Sequence, residues 1–188
     1  IREIQSINGS KIKAIIIEND SKYEKYPKEN LKYSSELSLK DVVKLVKDYG
    51  IVGLGGATFP CHVKLNVKED KEIKYIIINA AECEPLLAHN IKEIEERPEI
   101  VYQGIKYAME VTNAGKGMLA IKSKHPKAIE AFKKVIKPGD NIEVAELVDM
   151  YPMGEERAIV RDVLGKLLEP TQLPSEANAV VINVETLT

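Results

Sequence analysis

Three short clusters hold the residues whose types and spacing could do chemistry. The first is Gly53-Leu54-Gly55-Gly56-Ala57-Thr58-Phe59-Pro60, with three glycines in four positions after an apolar, helix-like run. Glycine lets backbone approach a ligand closely and take positive φ. Amides of such a loop can converge on a phosphate. The G-x-G-G spacing fits neither the dinucleotide fingerprint nor a Walker loop. A tight turn that needs glycine for geometry alone is the competing reading. The second cluster, Asn79-Ala80-Ala81-Glu82-Cys83-Glu84-Pro85, follows the β-branched run Tyr75 to Ile78. That run reads as a buried parallel strand, and ligands of open α/β sheets bind beyond the carboxyl ends of strands. The third, Tyr151-Pro152-Met153-Gly154-Glu155-Glu156, opens an expected helix. Acids in a first helical turn match the helix dipole and by themselves signify little.

The elements that must position these clusters alternate in type. Ser38 caps an expected helix through Tyr49, with Leu39, Val42, Val43, Leu45 and Val46 on one face and Gly50 ending it. Strands are expected at 75–79, 118–122, 142–148 and 180–184. Helices are expected at 100–111, 126–136 and 155–167. Such alternation argues for a three-layer α/β/α domain with a mostly parallel sheet, over residues 37–188. A short β-rich segment precedes it. Ile1 to Glu18 reads as two strands around the turn signal Asn8-Gly9. Asp20 to Glu36, polar and holding Pro27, reads as a linker, so residues 1–36 form an appendage.

The three clusters, with a strand ending in Asn183-Val184-Glu185-Thr186, resemble a known family in order and spacing from about Leu39 to Thr188. It is the flavin-binding domain shared by the 51 kDa NADH dehydrogenase subunit of respiratory complex I and the C subunit of Rnf electron-transport complexes. An Rnf-C-like protein associated with clostridial proline reductase also belongs to it. The family pattern is G-x-G-G-A-x-F-P-T with a lysine four residues after the proline, here Lys64. Then come N-x-x-E-(S/C)-E-P, Y-x-x-G-(E/G)-E and N-V-E-T.

The resemblance implies an FMN site, with hydride accepted from NADH and electrons passed to iron–sulfur domains or subunits. It implies that residues 1–36 are the hairpin tail of a preceding barrel-sandwich domain plus linker. Gly53, Gly55 and Gly56 would offer amides to the flavin phosphate. Lys64 would add a charge there, or is a solvated lysine. Asn79 and Asn183 would bind the ring edge or ribityl hydroxyls, or cap turns. Tyr151 would stack near the ring, or is core. Phe59, Glu82, Gly154 and Glu155 complete the expected flavin contacts. Glu84 and Glu156 are the expected nicotinamide contacts. The four acids Glu82, Glu84, Glu155 and Glu156 would crowd one cleft and raise one another's pKa.

Two departures stand out. Cys61 replaces the usual threonine, with His62 after it, and a thiol beside a flavin could be redox active. Adjacent residues on a strand, however, face opposite ways. Cys83 reads as a small buried spacer. Aromatic platforms for adenine are sparse: Phe59 is retained, while Val67 and Leu173 hold the other positions, so FMN is better supported than NADH.

Composition narrows the classes. The chain has 188 residues, 44% hydrophobic, with net charge −2. This charge favours neither nucleic acid nor an anionic membrane surface, and no apolar run nears the ~20 residues of a membrane helix. Two cysteines give no disulfide framework, and no Cys-x-x-Cys is present to ligate a cluster. Iron–sulfur clusters are therefore expected only in domains outside this chain. The histidine spacing fits no zinc pattern, so no metal is expected and the histidines read as isolated surface residues. Lys68–Lys74 and Lys122–Lys137 read as solvated faces. The start at Ile1 reads as an excised fragment. The expected location is cytoplasmic, with a peripheral position at the inner face of the cell membrane also open. Two readings compete with the flavoprotein: a flavin-free scaffold that docks partner subunits, and a module binding another nucleotide.

Overall fold

The computed structural model describes residues 1–24, 37–66 and 71–188. Much of the expected linker, Val67 and part of the Lys68–Lys74 run lie outside the described residues. The chain divides into two units, 1–34 and 35–188.

In the first unit, β1 (Arg2–Gln5) pairs antiparallel with β2 (Lys11–Ala14), Ile4 opposite Ile12. Asn8 and Gly9 make the turn as expected. Asn8 Oδ1 accepts from the Ser10 amide at 3.2 Å, and Gly9 takes φ of 81°.

The second unit is built on four parallel strands: β3 (Tyr75–Ala80), β4 (Lys116–Lys122), β5 (Ile142–Leu147) and β6 (Ala179–Asn183), in the order β5-β4-β3-β6. Ile76, Ile77 and Ile78 are fully buried, because both faces of the sheet are covered. On one face Ile76, Ile78, Leu119 and Ile121 pack with residues of α3 (His89–Glu96), α4 (Pro98–Thr112) and α5 (Pro126–Val135), Phe132 among them. On the other, Ile77, Met118, Ala120 and Val181 meet Ile159 and Val160 of α6 (Glu156–Leu164). This is the expected three-layer α/β arrangement.

The remaining helices are α1 (Leu39–Asp48), α2 (Cys61–Leu65) and α7 (Val184–Leu187). Ser38 caps α1 with a reciprocal bond from Asp41, a capping box. Four elements depart from the sequence reading. Cys61 and His62 lie on a short helix, α2, and not on a strand. The helix α3 fills a stretch with no expected element. Val184, expected to end a strand, begins α7, because Asn183 accepts from the Thr186 amide as an N-cap. Helix α6 stops at Leu164, since Gly165 takes a left-handed φ of 67°.

The chain runs from β3 outward through β4 to β5, then crosses back to place β6 on the other side of β3. The connections of β3 and β6 therefore diverge, and a crevice opens at their carboxyl ends. There Asn79 and Asn183 are register partners.

Candidate flavin site

The glycine loop is pinned over this crevice from both ends. Val52 and Pro60 form an isolated bridge, and the Gly53 amide donates to Phe59 O at 2.8 Å. The Leu54 amide donates to Thr186 Oγ1 at 2.9 Å. A Cβ on Gly55 would lie 3.0 Å from Asn183 Cβ, so only glycine lets the loop sit against that side chain. Gly56 has φ of 128° with open space where its Cβ would be. Among the described residues, the amides of Gly55 and Gly56 make no hydrogen bond of ordinary length and angle. The Gly53 amide, expected to face a phosphate, closes the neck of the loop instead. Gly55 and Gly56 keep donors to offer.

Asn79 ties two loops together. Its Nδ2 donates to Gly154 O at 3.0 Å, and its Oδ1 accepts from the Ala81 amide at 3.0 Å. Gly154 is there because of space: a Cβ would meet Ala81 O at 2.6 Å and Cys83 Sγ at 2.7 Å. The Gly154 amide donates to Cys83 Sγ at 2.8 Å, so Cys83 is an acceptor as well as a spacer.

Each of three acids has its own partner. Glu82 Oε1 accepts from the Asn90 amide at 2.9 Å. Glu155 is the N-cap of α6; its carboxylate accepts from the Ala158 amide at 3.1 Å and from Arg157 Nε at 2.8 Å. Glu156 pairs with Lys64 Nζ at 2.6 Å. Glu84 is exposed. The expected mutual raising of pKa is absent at Glu155. Burial pushes its carboxyl up, but hydrogen bonds from Arg157 and the Ala158 amide outweigh that and leave it below the usual range.

Lys64 is no free surface lysine. Besides Glu156, its Nζ donates to Val181 O at 2.8 Å on β6, the edge strand, and lies 5.9 Å from the centre of the Phe59 ring. Phe59 is exposed, and Tyr151, at 79% exposure, is not core. Leu173 is also exposed.

Cys61 is half-buried, and burial raises its thiol pKa more than the nearby Lys64 charge lowers it. A thiol held protonated is a poor nucleophile. Neighbours one apart on a helix do not face each other, so Cys61 and His62 form no pair. The histidines are not all isolated. His89 lies 3.9 Å from Glu82 and 3.4 Å from Glu185. His125 Nε2 is buried with no partner among the described residues. Burial, then the neighbouring Lys124, lowers the His125 pKa. Among the described residues, no three His, Cys, Asp or Glu side chains come together as a metal-binding group. Lys122 corrects another expectation: it is 5% exposed and paired with Asp149 at 3.2 Å, not solvated.

Sequence reasoning missed Asn90, which is 5% exposed and bonded to Asn183. Its signal was the stripe of α3. Asn90 lies four residues before buried Ile94, on the same face. Thr186 stands in the sequence as one letter of the N-V-E-T pattern, and its bond to Leu54 needs the fold.

Unpaired amides in a glycine loop, two asparagines at a switch point and a nearby lysine suit a ligand with one phosphate and a polar ring edge. The comparisons agree. The model of the Nuo51 FMN-binding domain matches residues 46–188, and the chain belongs to that family.

By name, its relatives are an oxidoreductase complex subunit, a reductase and a hydrogenase. The chain is 38% identical over 179 residues to the C subunit of the proton-translocating ferredoxin:NAD(+) oxidoreductase complex of Clostridium ljungdahlii, across 94% of this chain and 38% of that protein. It is 34% identical over 189 residues to the C subunit of the Na(+)-translocating ferredoxin:NAD(+) oxidoreductase complex of Acetobacterium woodii, across 99% and 42%. To cobalamin reductase PduS of Salmonella typhimurium it is 34% identical over 151 residues, across 80% and 32%. An NAD+-reducing NiFe hydrogenase in its air-oxidized state superposes with a TM-score of 0.67 at 26% identity, over 80% of this chain and 29% of that one. The chain thus spans less than half the length of these relatives.

Proposed function

We propose that the chain holds FMN in the crevice between β3 and β6, accepts hydride there from NADH, and exchanges electrons with iron–sulfur domains or subunits. One observation carries the reading: the register pair Asn79 and Asn183 at the switch point, with the glycine loop packed directly against Asn183. When bound, the flavin supplies the hydride and single-electron chemistry.

The chain's own residues bind and orient. The Gly55 and Gly56 amides receive the phosphate. Asn79 and Asn183 keep spare donor and acceptor capacity beyond their loop contacts, for the ribityl chain or ring edge. Lys64 fixes Glu156 at the start of α6 and presents a positive charge beneath Phe59. Glu84 and Glu156 meet the nicotinamide, Tyr151 covers the mouth, and Phe59 offers the adenine one platform. Gly53, Glu82, Gly154 and Glu155 shape the loops around these groups.

The relatives named as components of ferredoxin:NAD(+) oxidoreductases support a place in such a complex. A peripheral position at the inner face of the membrane is consistent with this, and no helix among the described residues is long and apolar enough to cross a bilayer. The Lys- and Ile-rich composition and Cys61 also suit the branch associated with proline reductase.

Titration of FMN into the protein, followed by flavin fluorescence with riboflavin as control, tests the reading. Saturable quenching by FMN and weaker or no quenching by riboflavin is expected. The second reading, a flavin-free scaffold, draws on the engaged state of Lys64, Gly53 and Leu54: the two amides are spent inside the protein, and Lys64 already holds two partners. No response to FMN by the full-length protein would favour it.

A further inference from the structure

Four hydrogen bonds run unbroken from Glu82 to the glycine loop, a fifth branches to Glu185, and Asn90 is their junction. The Asn90 amide donates to Glu82 Oε1 at 2.9 Å. Asn90 Oδ1 accepts from Asn183 Nδ2 at 3.1 Å and from the Glu185 amide at 3.3 Å. Asn183 Oδ1 in turn accepts from the Thr186 amide at 3.4 Å, and Thr186 Oγ1 accepts from the Leu54 amide at 2.9 Å. Three distant parts of the sequence, the glycine loop, the turn from β3 into α3, and the turn from β6 into α7, meet in this chain of bonds.

We infer that Asn90 is a positioning residue: through Asn183 and Thr186 it sets the pose of the glycine loop, and with it the affinity for the flavin phosphate. The inference rests on the FMN reading above. Asn90 is 5% exposed, so solvent does not replace a lost partner there. An amide group can be inserted either way round. By accepting from Asn183 Nδ2, Asn90 fixes which end of Asn183 caps α7. That choice places Thr186 and aims its hydroxyl oxygen at Leu54. A reversed Asn183 would turn its Nδ2 on the Thr186 amide, donor against donor. The junction acts through acceptor chemistry, since two of its three side-chain contacts end on Oδ1. The third places Asn90 Nδ2 3.1 Å from His89 Nε2.

The test compares wild type with Asn90→Leu, Asn90→Asp and Thr186→Val in the full-length protein. Two quantities are read: FMN affinity by fluorescence, and deuterium uptake of the peptide holding Leu54, without flavin. Asn90→Leu should weaken FMN at least tenfold and speed uptake at Leu54, while peptides of β4 keep their protection. Thr186→Val should speed the same uptake. Asn90→Asp keeps the acceptor and should stay within about threefold of wild type in both. Asn90→Ala replaces the leucine variant if that one fails to fold.

Unchanged affinity and uptake in the leucine or alanine variant would overturn the inference. So would an aspartate variant as defective as they are, since the same shape with its acceptor kept would then fail to hold the loop. Wild-type protein that ignores FMN would overturn the reading of the site, a result distinct from variants that match a binding wild type.

Discussion

At the scale of single residues, the site is set by groups that close off the alternatives. Gly154 is one. A methyl placed there would press on the carbonyl of Ala81 as well as the thiol of Cys83, and backbone has little freedom to retreat. Gly154→Ala should therefore cost about 1–3 kcal/mol of stability by overpacking. Chemical denaturation would measure it, and FMN affinity should fall with it. Glu155 is another. Its carboxylate caps α6, and losing such a cap costs about 1 kcal/mol. Its folded pKa lies below the ordinary glutamate value. Its contribution is therefore complete above that ordinary value and is lost as pH falls through the lower folded one. Glu155→Ala should melt earlier than wild type at neutral pH, with the two curves converging in acid. Melting temperatures recorded from neutral pH down to about 3, below the ordinary carboxylate pKa, would show this.

At the scale of elements, the crevice depends on how strand ends are finished. Lys64 reaches from α2 to a carbonyl of edge strand β6 and to Glu156 on α6, joining three elements with one ammonium group. Lys122 finishes β4 differently. It is buried, and its charge is met by Asp149, which also receives Lys124 at 2.9 Å. The two lysines hold the Asp149 carboxyl below its usual range. A buried charge tolerates losing itself better than losing its partner. Lys122→Met should stay within about 1 kcal/mol of wild type or gain stability. Asp149→Ala should be clearly less stable than Lys122→Met. Parallel urea melts of the two variants would rank them.

Much of this scale was legible from sequence. Short apolar, β-branched runs placed the four strands, and a period of 3.6 placed the helices now labelled α1, α4, α5 and α6. Short helices α2 and α7 carry too few residues for a period to show. The α3 stripe is broken by a polar residue, Asn90, that is nonetheless buried. Lys122 misled for a related reason: a lysine in a charged run looks solvated until an aspartate from the next strand's loop is brought beside it.

At the scale of the whole molecule, the two units differ in kind. Unit 35–188 has a core on both faces of its sheet. The described part of unit 1–34 has no buried residue, and a lone two-stranded hairpin is marginal in water. Removing residues 1–34 should leave the melting temperature and FMN affinity of the rest nearly unchanged. A drop in either would show that the hairpin supports the flavin unit. The composition excluded a membrane helix and a strong charge field, and both are properties of the chain as a whole.

The sequence by itself determined the α/β class, the parallel sheet and the presence of a glycine loop, two strand-end asparagines and a set of acids. Hydrophobic periodicity and glycine spacing are local properties, and they survive in a linear string. The tertiary structure alone decided which donors remain to offer. Gly53 closes its own loop while Gly55 and Gly56 stay open. Glu155 caps a helix and Glu156 holds Lys64. Asn90, a polar residue on α3, joins three distant segments of the chain. Each of these turns on a hydrogen bond between residues far apart in sequence, and that partner is fixed only when the sheet order sets β6 beside β3.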